Sequence, residues 1–188
     1  MESFLDSNQI KEDRESLEKW GSDWTNGFEV APSVIVFPET NEQAQSLIQY
    51  AIDSERKIVP SGGRTGLSGG AVASNGEIVV SFDRMNKILD FNSQDKIVTC
   101  QAGVITENLQ NFANEKGLYY PVDFASSGSS QIGGNVATNA GGIKVIRYGL
   151  TRDWVAGMRV VTGEGQLINC NAGLVKNATG YDLSHLMI

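Results

Sequence analysis

Short apolar runs and one clear helical repeat organise the chain. Residues 31–40, APSVIVFPET, form a β-branched apolar run bracketed by prolines, the pattern of a strand. Thr40 then precedes NEQAQSLIQYAIDSE, in which Ala44, Leu47, Ile48 and Ala51 line one helical face. Thr40 and Gln43 stand at the spacing of a capping box. KIVP reads as the next strand. Strand, helix and strand predict a right-handed βαβ unit. Whatever follows KIVP lies at the C-terminal end of its second strand, where open α/β sheets favour ligands. Upstream, NQIKEDRESLEKW over residues 8–20 patterns as a charged helix with Ile10, Leu17 and Trp20 buried. Downstream, GEIVVSFDRMNKILDFN gives an apolar strand and then a polar turn, and DKIVTCQAGV gives a strand. TENLQNFANEKG is a helix with Thr106 as N-cap and Gly117 as its stop. WVAGMRVVTGEGQLINC reads as two strands joined around Gly163, Glu164 and Gly165. No internal repeat and no linker interrupts this series.

Two glycine-rich stretches stand out against that pattern. The first, PSGGRTGLSGGA at residues 60–71, follows directly on a strand. It is either a flexible surface loop or an anion cradle, in which successive backbone N–H groups turn toward one ligand. No lysine completes a P-loop, and Gly62, Gly63, Gly66, Gly69 and Gly70 never fall into the G-x-G-x-x-G register. Any phosphate held here is held in a third way. The second stretch, SSGSSQIGGNVATNAGG at residues 126–142, is almost free of charge, and Ile132 and Val136 interrupt it. So long a segment between patterned elements is more often functional than disordered. Hydroxyls, amides and bare N–H groups suit a large polar ligand, or a diphosphate neutralised by backbone dipoles.

Charge and composition narrow the classes. A net charge of −7 argues against non-specific nucleic-acid binding. Residues 1–30 carry eight acids and three bases, so most of the excess sits in the N-terminal segment. Cys100 and Cys170 form no C-x-x-C pair and no disulfide framework, so a reducing, cytoplasmic compartment is the simpler reading. The acidic N-terminus lacks the apolar core of a secretory signal. No apolar run is long enough to span a membrane, which leaves peripheral association through a partner open.

Four ordered segments now carry a resemblance. PSGGRTGLSGGA, YYPVDFASSGSSQIGGNVATNAGG, RYGLTRDWVAGMRVV and NATGYDLSHLMI resemble the FAD-binding domain of FAD-linked 2-hydroxyacid dehydrogenases. That group includes the glycolate oxidase catalytic subunit, D-lactate dehydrogenases and D-2-hydroxyglutarate dehydrogenase, within the vanillyl-alcohol-oxidase or p-cresol-methylhydroxylase fold. The resemblance covers about residues 20–188, and SDWTNGFEVAPSVIVFPET looks like the family's opening. It implies that the loop of Ser61, Gly62, Gly63, Arg64, Thr65, Gly66, Leu67, Ser68 and Gly69 wraps the FAD diphosphate with backbone amides, Thr65 and Ser68 adding hydroxyls. Arg64 stands where relatives often carry Asn or Gly; it pairs with phosphate or faces solvent, and solvent is the expectation. The segment from Ser127, Gly128 and Ser129 onward would line the flavin and its ribityl–diphosphate chain. There Ile132, Gly133 and Gly134 would approach closely. Asn135, Thr138 and Asn139 would hydrogen-bond, and Gly141 and Gly142 would close the loop. Tyr148 and Gly149 match the family's YG near the cofactor. No histidine or cysteine lies in either loop, so FAD is expected to be non-covalent. His185 is expected to be a packing residue, and both cysteines small hydrophobes.

The fold expectation is α+β, a two-lobed FAD-binding domain of p-cresol-methylhydroxylase type. Residues 1–29 would be an N-terminal helical segment. Residues 30–91 would form a first lobe with a small βαβ-containing sheet, and residues 92–188 a second lobe with a larger, mostly antiparallel sheet. FAD would lie in the cleft between the lobes. The family's next strands and its substrate domain would lie beyond Ile188, so the domain is expected to be C-terminally incomplete. Its catalytic residues are then unassigned, and one histidine builds no His-rich metal site. Such a fragment is expected to be inactive alone and to self-associate through an unpaired sheet edge. The intact enzyme is implied to oxidise a small 2-hydroxy acid by hydride transfer to flavin N5, then to pass electrons to an acceptor or partner subunit. The same fold acting on another alcohol substrate, or a truncated non-catalytic module, remains the alternative.

Overall fold

The computed structural model describes residues 1–171, 173–174 and 178–188. The chain forms two compact units, Met1–Met85 with Val161–Gln166, and Asn86–Val160 with Leu167–Ile188.

The first unit is built on a four-stranded sheet. Its strands are β1 (Ile10–Lys11), β2 (Val34–Val36), β3 (Ile58–Ser61) and β4 (Ile78–Ser81), in the order β1-β2-β4-β3. Both β2 and β3 run parallel to β4, and β1 is antiparallel to β2. Every residue of β2 and β4 is buried, as parallel strands covered on both faces require. On one face Val34, Val36, Ile78 and Val80 pack with Leu5 and with Leu47 of helix α2 (Asn41–Asp53). On the other, Ile35, Phe37, Val79 and Ala73 pack with Leu17 and Trp20 of helix α1 (Arg14–Trp20). The β2–α2–β3 succession expected from the sequence is therefore present.

Two local readings change. The charged helix starts at Arg14, because Asp13 accepts the Ser16 N–H at 2.9 Å and ends the extended chain there. Ile10 lies in β1 instead, and the preceding Gln9 is buried, donating to the Phe37 carbonyl at 2.8 Å. At α2, Thr40 does accept the Gln43 N–H at 3.2 Å. The Gln43 side chain, however, reaches past Thr40 to the Glu39 N–H at 2.8 Å.

The second unit holds β5 (Ile88–Asn92) antiparallel to β6 (Ile97–Cys100), then helices α3 (Thr106–Glu115), α4 (Ile132–Ala137) and α5 (Val145–Tyr148). β7 (Met158–Val161) and β8 (Leu167–Cys170) follow as a second pair. The hairpin between them closes as expected, with the Thr162 N–H donating to the Gln166 carbonyl at 2.8 Å. Among the described residues β5–β6 and β7–β8 are separate two-stranded sheets, not the one larger sheet expected. β5 occupies a stretch read as a polar turn. A register shift between Ile88 and Asp90 breaks its alternation, which hid the strand. Thr106 is the first helical residue of α3, and Ile105 is the cap position. Gly117 ends that helix at φ +69°, as its sequence position predicted.

Candidate functional site

The first glycine loop leaves β3 at Ser61, which is fully buried and in register with Ser81 of β4. The Phe82 N–H donates to the Ser61 carbonyl at 3.1 Å and fixes the point of departure. Beyond it, none of the described residues accepts a hydrogen bond from the backbone N–H groups of residues 62–68. The carbonyls behave differently. Gly62 accepts from Arg64 Nη1 at 2.8 Å, and Gly66 accepts from the Trp24 N–H at 3.2 Å. Donors are thus left open while two acceptors are taken up by the protein itself. That asymmetry is what an anion-binding backbone requires.

Arg64 does not project into solvent as expected. Its φ is +59°, and its side chain folds back to Gly62 and to Asp83, with Nη1 3.4 Å from Oδ1. Asp83 also accepts from Trp20 Nε1 at 2.7 Å. The left-handed backbone at Arg64 turns the guanidinium onto an acid that α1 already holds. Thr65 is half-buried, and Leu67 and Ser68 are exposed. Gly69 adopts φ +73°, and a Cβ there would stand 3.1 Å from the Phe28 ring.

The second stretch differs in kind. Most of its backbone is satisfied internally, and it contains α4 where a loop was expected. Thr106, Ser130 and Asn135 form a buried network: the Thr106 and Ser130 hydroxyls lie 2.8 Å apart, and Asn135 Nδ2 donates to Thr106 Oγ1 at 2.7 Å. Asn135 is therefore spent on the fold. Gly133 lies directly on Ala102 and donates to its carbonyl at 2.7 Å, and Gly142 at φ +82° leaves no room for a Cβ beside the Asp123 carbonyl. A Cβ on Gly141 would meet Leu150 at 3.2 Å. Asn139 accepts the Arg152 N–H at 3.0 Å. Ser127 is half-buried, and its carbonyl accepts from the Glu107 N–H at 3.0 Å. Gly128, Ser129, Gly134 and Thr138 are exposed, while Ile132 is half-buried. Tyr148 is half-buried and meets Tyr119 edge-on at 5.8 Å. Lys144 bridges Tyr119 Oη at 2.8 Å and Asp123 at 2.9 Å, and these two partners push its amine well above the usual lysine range.

His185 is exposed, 3.8 Å from Asp182, and so is not the packing residue expected. Cys170 is buried, and burial pushes the Cys100 thiol up to about 11. Among the described residues no three His, Cys, Asp or Glu side chains gather as a metal site, and no helix is long and apolar enough to cross a membrane.

Residues 32–171 match the family described as FAD binding domain. The chain belongs to the FAD binding domain family. Over 188 residues it is 60% identical to D-2-hydroxyglutarate dehydrogenase of Stutzerimonas stutzeri (strain A1501), covering all of this chain and 40% of that protein. An alkyldihydroxyacetonephosphate synthase structure superposes with a TM-score of 0.87 at 23% identity, over 99% of this chain and 36% of that one. p-Cresol methylhydroxylase, solved with substrate bound, superposes at 0.77 and 19% identity, over 98% and 38%. The chain thus spans about 40% of the length of this curated relative. These likenesses bear out the α+β fold of p-cresol-methylhydroxylase type and the resemblance read from the sequence. They also bear out FAD as the cofactor.

The open N–H groups of residues 62–68 fit such a cofactor, since a diphosphate needs donors and little else from the backbone. The sequence reading missed Asp23 and Thr25. It took SDWTNG only as part of the family's opening, yet Thr25 Oγ1 accepts the Gly69 N–H at 2.8 Å.

Proposed function

We propose that this chain is the FAD-holding part of a flavin-dependent dehydrogenase that oxidises D-2-hydroxyglutarate to the 2-oxo acid. The observation that carries the cofactor part is the run of unbonded N–H groups at residues 62–68 beside the occupied carbonyls of Gly62 and Gly66. In this reading those N–H groups hold the diphosphate. Thr65 and Ser68 add hydroxyls. Gly128, Ser129, Gly134 and Thr138 offer the exposed polar face of the second stretch. FAD, when bound, accepts the hydride from the substrate α-carbon. The 60% identity to a D-2-hydroxyglutarate dehydrogenase supports this substrate over D-lactate or glycolate. The cofactor is held without a covalent bond, and electrons leave to a separate acceptor. Two free cysteines agree with a reducing, cytoplasmic setting.

The purified chain, mixed with FAD and freed of excess, is expected to keep a flavin absorption spectrum that acid precipitation releases into the supernatant. A colourless chain overturns the cofactor reading. In the whole enzyme, D-2-hydroxyglutarate is expected to bleach the flavin anaerobically. Bleaching by D-lactate or glycolate alone overturns the substrate assignment.

A further inference from the structure

The segment Asp23, Trp24 and Thr25 grips the glycine loop from outside. The Trp24 N–H donates to the Gly66 carbonyl at 3.2 Å, and the Gly69 N–H donates to Thr25 Oγ1 at 2.8 Å. The Thr25 N–H in turn donates to Asp23 Oδ1 at 2.7 Å. The other carboxylate oxygen, Asp23 Oδ2, is buried with no hydrogen-bond partner, 3.7 Å from where a Cβ of Gly66 would lie. A buried, unpartnered carboxylate oxygen is costly. On charge alone an acid is also a poor neighbour for an anion site. Apolar burial does not account for the segment either, since Trp24 is 74% exposed. What the segment supplies is orientation.

We propose that Asp23 and Thr25 are positioning residues that hold the loop in its anion-ready form. Thr25 occupies the Gly69 N–H, and Trp24 occupies the Gly66 carbonyl. With both taken, the loop cannot close on itself, and the N–H groups of residues 62–68 stay open. Asp23 fixes the backbone of Thr25 and so sets the position of both contacts. This rests on reading the loop as the cradle of the FAD diphosphate. Neither residue needs to touch the cofactor.

The test uses the chain itself and two readouts: FAD affinity by titration, and amide hydrogen exchange at Gly69 in the free protein. Thr25→Val is expected to weaken FAD binding roughly three- to tenfold, the worth of one hydrogen bond. It is also expected to speed Gly69 exchange, with little change in Tm. Thr25→Ser restores both. Asp23→Ala, acting through Thr25, is expected to reproduce the Thr25→Val result. Parent-like affinity and Gly69 protection in both Thr25→Val and Asp23→Ala overturn the proposal. If Thr25→Val speeds exchange but leaves FAD affinity unchanged, the grip exists and its role in binding is overturned. A parent chain that binds no FAD sinks the reading of the site, and with it this role, whatever the exchange data show.

Discussion

Gly133 sits against Ala102 with no space to spare: its N–H donates to the Ala102 carbonyl at 2.7 Å, and a Cβ on Gly133 would stand 2.7 Å from the Ala102 Cβ. Its neighbour Gly134 faces open space. Two adjacent glycines of one short helix thus stand in opposite surroundings, one packed and one open. Gly133→Ala is expected to destabilise the free chain by about 1–3 kcal/mol, the usual cost of forcing a methyl into a packed site. Gly134→Ala is expected to leave stability unchanged or raise it by up to about 1 kcal/mol, as alanine does in a helix. If the exposed face of α4 meets the cofactor, Gly134→Ala weakens FAD binding while Gly133→Ala lowers Tm. Thermal unfolding of the free chain and FAD titration separate the two effects. Equal losses of Tm in both variants would contradict this division.

The Thr106 hydroxyl serves two partners, Ser130 and Asn135, and is fully buried. Thr106→Val keeps the shape and removes the hydroxyl. Asn135 Nδ2 then loses its acceptor, at an expected cost of about 1–3 kcal/mol in urea unfolding. Asn135→Leu in that background is expected to add less than it does alone, because both changes break one network. Full additivity would mean that Asn135 is not part of the network.

The sequence reading succeeded where a single period governed a segment. Leu47 and Ala51 recur on one helix face, and residues 34–36 and 78–80 are apolar throughout. It failed where long-range contacts decide. The alternation of β5 is broken at its bulge, so only its pairing with β6 reveals the strand. Arg64 was placed in solvent because nothing local shows that Asp83, nineteen residues on, receives it. The second glycine stretch read as cofactor surface, yet Gly133 and Gly142 answer to Ala102 and Asp123 across the fold. Composition signals the need for glycine but does not say whether a ligand or a neighbouring backbone imposes it.

Asp83 joins α1 to the glycine loop through Trp20 and Arg64. Asp83→Ala removes the carboxylate that Trp20 Nε1 reaches at 2.7 Å. A shift in tryptophan fluorescence and a stability loss of about 1.5–3 kcal/mol are expected, as for a hydrogen bond to a charged group. FAD affinity is expected to fall as well, since Arg64 loses the group that holds it over the Gly62 carbonyl. Unchanged fluorescence would show that the Trp20 contact is not formed in solution.

Alkaline pH probes the second unit. Burial raises the Cys100 thiol from 9.0 to about 11, and burial followed by the nearby Cys100 raises Tyr120 from 10.0 to about 12. Both groups are neutral when protonated, so the unfolded chain releases these protons at lower pH than the folded one. Their stabilisation is complete below pH 9.0 and is lost as pH rises through about 11 and then about 12. For Cys100 the loss is on the order of 2 kcal/mol. Urea midpoints are expected to hold steady from neutral pH to about 9 and then to fall. Cys100→Ala removes the thiol's own titration and its effect on Tyr120, so its profile is expected to stay flat further into the alkaline range. If the parent and the variant decline together from the same pH, the alkaline sensitivity does not come from this half-buried pair.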